Sequence, residues 1–523
     1  MFVRVKRSGS RSYLQLVENR WEDGRSRQRV VATLGRLESL QAAGRVDGII
    51  KSLARFAEKV KVVEAHRDGR LATRSVKRLG PALVMDRLWQ RLGLAEVLTG
   101  LLKGRRHSFA VERMIYFTVL SRLFFPGSDR RALRLARDYK LALPEAPRLH
   151  QLYRAMAWLG QVREEVEERL FARNRTMFSG LDLVFFDTTS LYFEGRGGES
   201  LGRHGYSKDG CPENRQMIVG AVLDATGRPI SCPMWPGNRS DVTTLRPVVE
   251  RLRDRFGVKD VVVVADRGMI SKDTVAWLEA SRVGYILGVR MRRTKWGRAA
   301  VADTADGYQA VRDNLQVKEL TIAGKRHIVC YNPDEAVRDA LARAAIVEGL
   351  RKKLARGPQG VVGNHGFRRY LKVESAGVTI ADDKIAADAQ YDGKYVLQTN
   401  TGLSAAEAAL KYKELWQVER VFREVKSVLQ TRPVYHKYDL TIEGHVFCSF
   451  LALVVMKELM QSVGPDASWD AIRQDLDALY ETEVEHEGNC YRLRSPLQGV
   501  SGKVLSAIGI AAPPSVTPIN SQT

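Results

Sequence analysis

Apolar and polar positions change period twice along this chain. Over residues 1–36 short alternating stretches, "FVRVKR", "SYLQLVENRW" and "RQRVVATLG", are parted by Gly/Ser and Asp-Gly turn signals. Period-2 alternation predicts a small β-sheet there. Residues 37–65 turn helical in spacing, and residues 80–175 hold a strong helical period, as in "PALVMDRLWQRLGLAEVLTGLL" and "FAVERMIYFTVLSRLF". From residue 181 the texture becomes strands alternating with helices. "LDLVFFD" (181–187), "QMIVGAVLD" (216–224) and "PISCPMW" (229–235) predict a three-strand meander. A helix follows over about 241–255, capped by Ser240 or Asp241. "DVVVVAD" (260–266) is a further buried strand, then a helix from Ser271 and the strand "GYILGVR" (284–290). A meander followed by alternating helices and parallel-type strands predicts a mixed α/β sheet.

Residues 291–395 break that rhythm. "KELTIAGKRHIVCYN" predicts a hairpin, 333–355 a charged helix, and "DGKYVLQTNT" a strand. Residues 405–430 and 440–462 return to helix, and the Pro/Ser-rich chain after about 490 is expected to fray. The division expected is a basic β-rich N-terminal region (1–65), a helical DNA-binding domain (66–178), a core in two parts (179–290 and 396–465) split by an insertion subdomain (291–395), and a C-terminal region (466–523). A chain of 523 residues has room for several such cores.

Charge sharpens this picture. The chain carries 83 Lys/Arg against 60 Asp/Glu, a net +23 with pI near 9.9, and the first 110 residues alone hold 24 basic and 10 acidic side chains. Such a field attracts polyanions, nucleic acid above all; the plainer reading is a basic protein without a polyanionic partner. Lys6, Arg7, Arg25, Arg27 and Arg29 are the phosphate-contact candidates of the N-terminal sheet. Five cysteines, widely spaced and without a CxxC pair, give neither a disulfide framework nor a thiolate zinc site, and suit a reducing cytoplasm. "MFVRVKRSGSRSY" has no apolar core of a signal peptide. Val446–Met456, 11 residues and apolar but for Ser449, is too short to span a bilayer and is expected to be a core helix.

Two buried-type strands end in an acid. Leu183–Phe186 run into Asp187, and Val261–Ala265 run into Asp266. Strand ends collect ligand chemistry in α/β sheets. A carboxylate pair brought together there repels itself unless a divalent cation neutralises it; one Asp alone would be an ordinary turn former. In "YKELWQVERVFREVKSVLQ" (412–430) an apolar stripe of Leu415, Val418, Phe422, Val425 and Leu429 is flanked by Tyr412, Glu419 and Lys426, spaced seven apart. Seven residues return a helix to within about 20° of the same direction. Glu419 is thus a third candidate ligand, with Tyr412, Lys426 and Arg423 placed for phosphate; a solvated face with a Glu419–Arg423 pair is the plainer alternative. Lys208 and Arg215, with His204, lie in the loop after Asp187, and Arg267 follows Asp266; each is a weaker candidate for DNA contact. Asn238 and Asp241 read as helix caps or as supports of the acids, and His436 and His445 as packing or capping residues rather than ligands.

"FFDTTS", "VVADRGM" and "YKELWQVERVFREVK" resemble the three catalytic blocks of DDE transposases from bacterial insertion sequences, in the branch with the signature Tyr-x2-Arg-x3-Glu-x6-Lys and a β-rich insertion before the last Glu. Tyr412, Glu419 and Lys426 match, while Leu415 stands where the signature has Arg. The acids are separated by 79 and then 153 residues, the long gap that an insertion needs. The resemblance implies an RNase H-like mixed-sheet catalytic core interrupted by a β-rich insertion, with a basic β/helical N-terminal DNA-binding region. It implies two Mg²⁺ ions (Mn²⁺ substituting) held by Asp187, Asp266 and Glu419. Cleavage at the element's ends and transfer of the 3′-OH ends into target DNA would follow. The partners implied are double-stranded DNA, both terminal inverted repeats and target, and a second copy of the chain on paired ends. The setting implied is the bacterial cytoplasm at the nucleoid, with no membrane. An RNase H-fold nuclease without strand transfer, or a catalytically silent DNA-binding derivative, shares most of these residues.

Overall fold

The computed structural model describes residues 1–22, 25–54, 66, 68–69, 71–175, 183–258, 261–303, 307–355, 369–374, 377–486 and 488–519. Two compact units divide the chain. One comprises Met1–Leu79, Ala478–Gln498 and Ala511–Thr523; the other comprises Gly80–Asp477 and Gly499–Ile510.

The first unit opens with the expected alternating strands. Phe2–Ser8, Arg11–Glu22 and Arg25–Arg36 form an antiparallel sheet, and Lys6, Arg7, Arg25, Arg27 and Arg29 are exposed on it. Helices Leu37–Ala42 and Arg45–Ala54 follow; the expected helix beyond residue 54 lies outside the described residues. A second sheet joins Ala72–Arg78 to Tyr480–His486, Asn489–Arg494 and Val516–Ile519. The C-terminal stretch expected to fray is therefore ordered. Its strands are short, and Pro513, Pro514 and Pro518 masked their period-2 signal.

In the second unit a ten-stranded sheet is the frame. At its centre Leu183–Tyr192 pairs antiparallel with Gln216–Asp224 and parallel with Val262–Ala265. Gln216–Asp224 pairs in turn with Pro229–Ser231 and Met234–Pro236, completing the meander. On the other side Gly284–Gly288 runs parallel to Val262–Ala265. Beyond it the sheet continues without a break through Lys394–Thr399, Lys325–Tyr331, Leu315–Ile322 and Gln309–Arg312, all antiparallel. The span 291–395 thus contributes strands to the same sheet, and adds a helix, Pro333–Leu354, and a separate hairpin, Leu371–Glu374 with Gly377–Ile380. Pro333 and the Asn332 cap start that helix as such residues should.

Alternate residues of the central strands face opposite layers. Val184, Phe186, Val263, Ala265, Tyr285 and Leu287 pack against Leu245, Val249 and Leu252 of the helix Leu245–Asp254 and Val275 and Leu278 of Lys272–Ala280. The start expected at Asp241 is instead a short 3-10 turn, Asp241–Thr243. The opposite face is covered by Trp416–Arg423, which packs on the strands Leu183–Tyr192 and Gln216–Asp224.

A helical layer, including Gly80–Arg91, Val111–Phe124 and Leu149–Arg173, surrounds the helix Asp439–Val463. That helix is long and apolar enough to cross a membrane, but 72% of its most apolar window is buried within the protein. It crosses Leu149–Arg173 at Gly160 and Gly444, where a Cβ would run into the carbonyls of Leu440 and Met156. Small residues at the crossing let the two backbones touch.

Candidate active site

Strand register brings the first two acids together. Phe185 pairs with Val264 and Phe186 with Ala265 on neighbouring parallel strands. Asp187 shares the face of Phe185, and Asp266, one residue past its strand, continues the face of Val264; this is the face turned away from the helices Leu245–Asp254 and Lys272–Ala280. Neighbouring strands lie about 4.8 Å apart, so side chains on one face at one level meet. Glu419 comes from the helix that covers that face. Two adjoining clefts are lined by all three carboxylates, one also by Arg267, Gly288 and Tyr412, the other by Lys208, Asp209, Arg423, Lys426 and Arg432.

The three acids differ in surroundings. Asp187 is half-buried and accepts a 2.7 Å hydrogen bond from the Thr188 backbone N–H. Burial pushes its carboxyl up to about 6; Lys208 and the Thr188 N–H pull it down, while the charges of Asp266 and Asp241 raise it further. Asp266 accepts from the Tyr412 hydroxyl at 3.3 Å. Glu419 is exposed and has no hydrogen-bond or ion-pair partner among the described residues. Among the described residues no three acidic, His or Cys side chains are drawn close enough to form a finished metal cluster. As donors, however, the three are carboxylate oxygens, the hard ligands that Mg²⁺ takes, and none is neutralised by an ion pair.

The helix expected over 412–430 is broken. Ala405–Lys413 and Trp416–Arg423 are separate, joined by tight turns such as Leu415 N–H to the Tyr412 carbonyl, and Glu424–Val428 winds as a single π turn. Tyr412 therefore sits on the preceding helix and not on a common seven-residue stripe. The apolar stripe itself holds: Leu415, Val418, Phe422, Val425 and Leu429 are all buried. Tyr412 stacks on Tyr395, and burial raises its hydroxyl pKa, so it stays a donor. Gly288 makes room for it, since a Cβ there would collide with the Tyr412 hydroxyl.

The basic candidates are placed unequally. Arg267 and Arg423 line the clefts. Lys208 lines one too, but its ammonium is engaged by the Thr188 carbonyl and hydroxyl, both at 2.8 Å, and by Asp241 at 3.0 Å. Lys426 pairs with Asp209 at 2.6 Å. Arg215 lines neither cleft and donates to the Arg196 carbonyl. His445 is buried against Arg122 and the Thr431 carbonyl, with His436 against it, as packing residues would be. Sequence reasoning missed Asp209 and Arg432, and left Asp241 between cap and support. Asp241 accepts the Thr188 hydroxyl at 2.7 Å and so braces the backbone beside Asp187. Asp209 and Arg432 lie in loops and Asp241 opens a single 3-10 turn, where no period exposes a role.

Only Asp266 lies at a strand end as expected: the first-acid strand runs on past Asp187 to Tyr192, because Thr188–Tyr192 keep pairing with Gln216–Gly220, so Asp187 sits in mid-strand. Three acids converging from mid-strand, the neighbouring strand's end and a covering helix define a class, and the family match states it. Residues 179–455, more than half of the chain, match the transposase DDE domain, and the chain belongs to the DDE transposases. Residues 2–66 match the N-terminal domain of IS1634 family transposases, which agrees with a bacterial insertion-sequence origin. No protein of curated function matches the chain.

Proposed function

We propose that the protein is an active transposase that cuts DNA at the ends of its element and joins the freed 3′-OH ends to target DNA, with Asp187, Asp266 and Glu419 holding two divalent cations. The observation that supports this most is the shared face of Asp187 and Asp266 on adjacent parallel strands, with unpartnered Glu419 across the cleft from them. The sheet is read as an RNase H-like core, a meander followed by two parallel strands, extended by the strands of 291–395.

The carboxylates suit Mg²⁺ or Mn²⁺; the Asp187 carboxyl is raised chiefly by burial, with the charges of Asp266 and Asp241 adding to it. Bound cations would lower the pKa of attacking water or 3′-hydroxyl and neutralise the leaving oxygen. The chain's own residues do the rest. Tyr412 fixes Asp266, the Thr188 N–H and the Asp241–Lys208 pair fix the strand at Asp187, and Arg267, Arg423 and Lys426 face the DNA backbone. Water displaces the 3′ oxygen from phosphorus; the resulting 3′-hydroxyl then displaces another 3′ oxygen from a target phosphodiester. No protein nucleophile is needed: Ser190 is fully buried and accepts the Lys208 N–H. The basic N-terminal sheet is the proposed reader of the terminal repeats, and two copies of the chain the proposed unit on paired ends.

An excision assay tests this reading. Purified protein and Mg²⁺ meet a plasmid carrying the DNA that flanks this gene, beside a Glu419→Ala sample. Cuts at defined positions with free 3′-OH ends, absent from the variant, are expected, followed by joining to a second plasmid. Cutting without joining identifies a nuclease; salt-sensitive binding by both proteins without cutting identifies a silent DNA-binding protein.

A further inference from the structure

The second cleft contains a charge cluster of which the chemistry above uses only Lys426. Asp209, with a side chain only 2% exposed, places one carboxylate oxygen against Lys426 Nζ at 2.6 Å and Arg432 Nη1 at 2.5 Å. Its other oxygen is buried without a hydrogen-bond partner. An orphaned buried acceptor is costly and calls for a reason. The three residues come from three elements. Asp209 lies in the loop after the first-acid strand, and Lys208 beside it donates its backbone N–H to Ser190 of that strand. Lys426 lies in the π turn that ends the Glu419 helix. Arg432 is pinned to the far end of the first-acid strand, because Val434 exchanges backbone hydrogen bonds with Tyr192 and Glu194.

We propose that Asp209 is a positioning residue that gathers Lys426 and Arg432 into a two-pronged cation clamp for a DNA backbone phosphate, and that Arg432 is itself a phosphate contact. The proposal rests on the transposase reading. Two cations this close repel, and Lys426 is nearly buried; a single carboxylate between them removes both costs. Burial holds the Lys426 ammonium below its ordinary lysine value, and Asp209 is the first group pulling it back. The clamp retains a net positive charge, opens on the cleft of the three acids, and ties the strand of Asp187 to the helix of Glu419.

The test is DNA binding by the full chain in EDTA over a series of KCl concentrations. The probes are a duplex carrying the DNA that flanks this gene and an unrelated duplex of equal length. Arg432→Gln and Lys426→Gln should each weaken both duplexes about tenfold and lower the salt slope by about one. Asp209→Asn should weaken them at least as much, Asp209→Glu should restore binding to within about threefold, and Asp209→Asn/Arg432→Gln should be no worse than the weaker single variant. Unchanged or tighter binding by Asp209→Asn with an unchanged or steeper slope overturns the proposal, as does strict additivity in the double variant. If Asp209→Asn fails to fold, Arg432→Gln decides alone, a normal affinity and slope refuting the clamp. Cleavage is scored separately. A wild-type chain that binds through the clamp but never cuts sinks the transposase reading and leaves the clamp; one that cuts while Asp209→Asn binds normally does the reverse.

Discussion

The strand-borne acids and the helix-borne acid reach the same cleft by different physics. Asp187 and Asp266 are placed by backbone hydrogen bonds between buried strands, which leave their side chains little choice of direction. Glu419 stands exposed on a short helix set between a tight joint and a π turn. The first pair is rigid and bears the cost of being partly desolvated; the third is wet, bears none, and has freedom to adjust. A site assembled this way holds its charge strain at the sheet and its adaptability at the helix. Rigid placement is what in-line phosphoryl chemistry asks of its first ligands.

The largest effect expected is on cleavage. Asp187→Asn, Asp266→Asn and Glu419→Gln should each lower the rate of end cleavage by at least about 10³-fold, because each removes a proposed cation ligand. The comparison survives only if DNA binding in EDTA stays within a few fold for all three. A mild cleavage defect for Glu419→Gln alone would remove the helix from the site and leave the strand pair as the whole of it.

Stability separates the two kinds of acid next. The Asp187 carboxyl lies near 6 in the fold against an ordinary 3.8. With the folded value raised, the protonated form supports the fold below about pH 4, and that support is lost as pH rises through about 6. Metal-free protein should therefore lose roughly 1–2 kcal/mol of stability across that window, after allowance for solvent screening. Asp187→Asn should lose less there by about that amount, since other buried carboxyls such as Glu167 and Asp224 are raised as well, and should unfold at a higher temperature than wild type at pH 7.5 without metal. Mg²⁺ should raise the wild-type midpoint at that pH and leave the variant nearly unmoved. Identical profiles for wild type and Asp187→Asn would show that Asp187 bears no strain.

The same contrast explains what the sequence disclosed. Both acid-bearing strands were legible because Leu183–Phe186 and Val261–Ala265 are unbroken apolar runs, and such runs are buried on both faces. Glu419 was legible through the apolar stripe beside it and the resemblance of its block. The π turn was not, because the stripe of buried residues continues across it, and nor was the break after Lys413, because the seven-residue spacing of Tyr412, Glu419 and Lys426 runs through it; backbone winding leaves no trace in such periods. Nor was the continuation of the sheet through Leu315–Ile322 and Lys325–Tyr331: a hairpin pattern says that two strands pair, not what their outer edge meets. Asp209 and Arg432 act from loops and Asp241 from a single 3-10 turn, and their partners lie 53 or more residues away in sequence in the cases of Thr188–Asp241 and Asp209–Lys426.

The smallest expected effect sharpens the comparison at Tyr412, which the seven-residue spacing assigned to a phosphate oxygen. In the fold its hydroxyl donates to Asp266, across a glycine that leaves just enough room. Tyr412→Phe keeps the stacking on Tyr395 and removes only that donor. The bond is long, so its loss should cost about 0.5–1 kcal/mol of stability at most. Asp266 would then be less firmly aimed, and end cleavage should fall three- to tenfold with DNA affinity and its salt slope unchanged. A phosphate ligand behaves otherwise: its removal weakens binding to every duplex and lowers the slope. If Tyr412→Phe does that and leaves the cleavage rate of bound DNA intact, the phenol belongs with Lys426 and Arg432 on the DNA-holding side of the cleft. If cleavage alone suffers, it belongs to the strand-borne acids, and the helix lends the sheet a support as well as a third ligand.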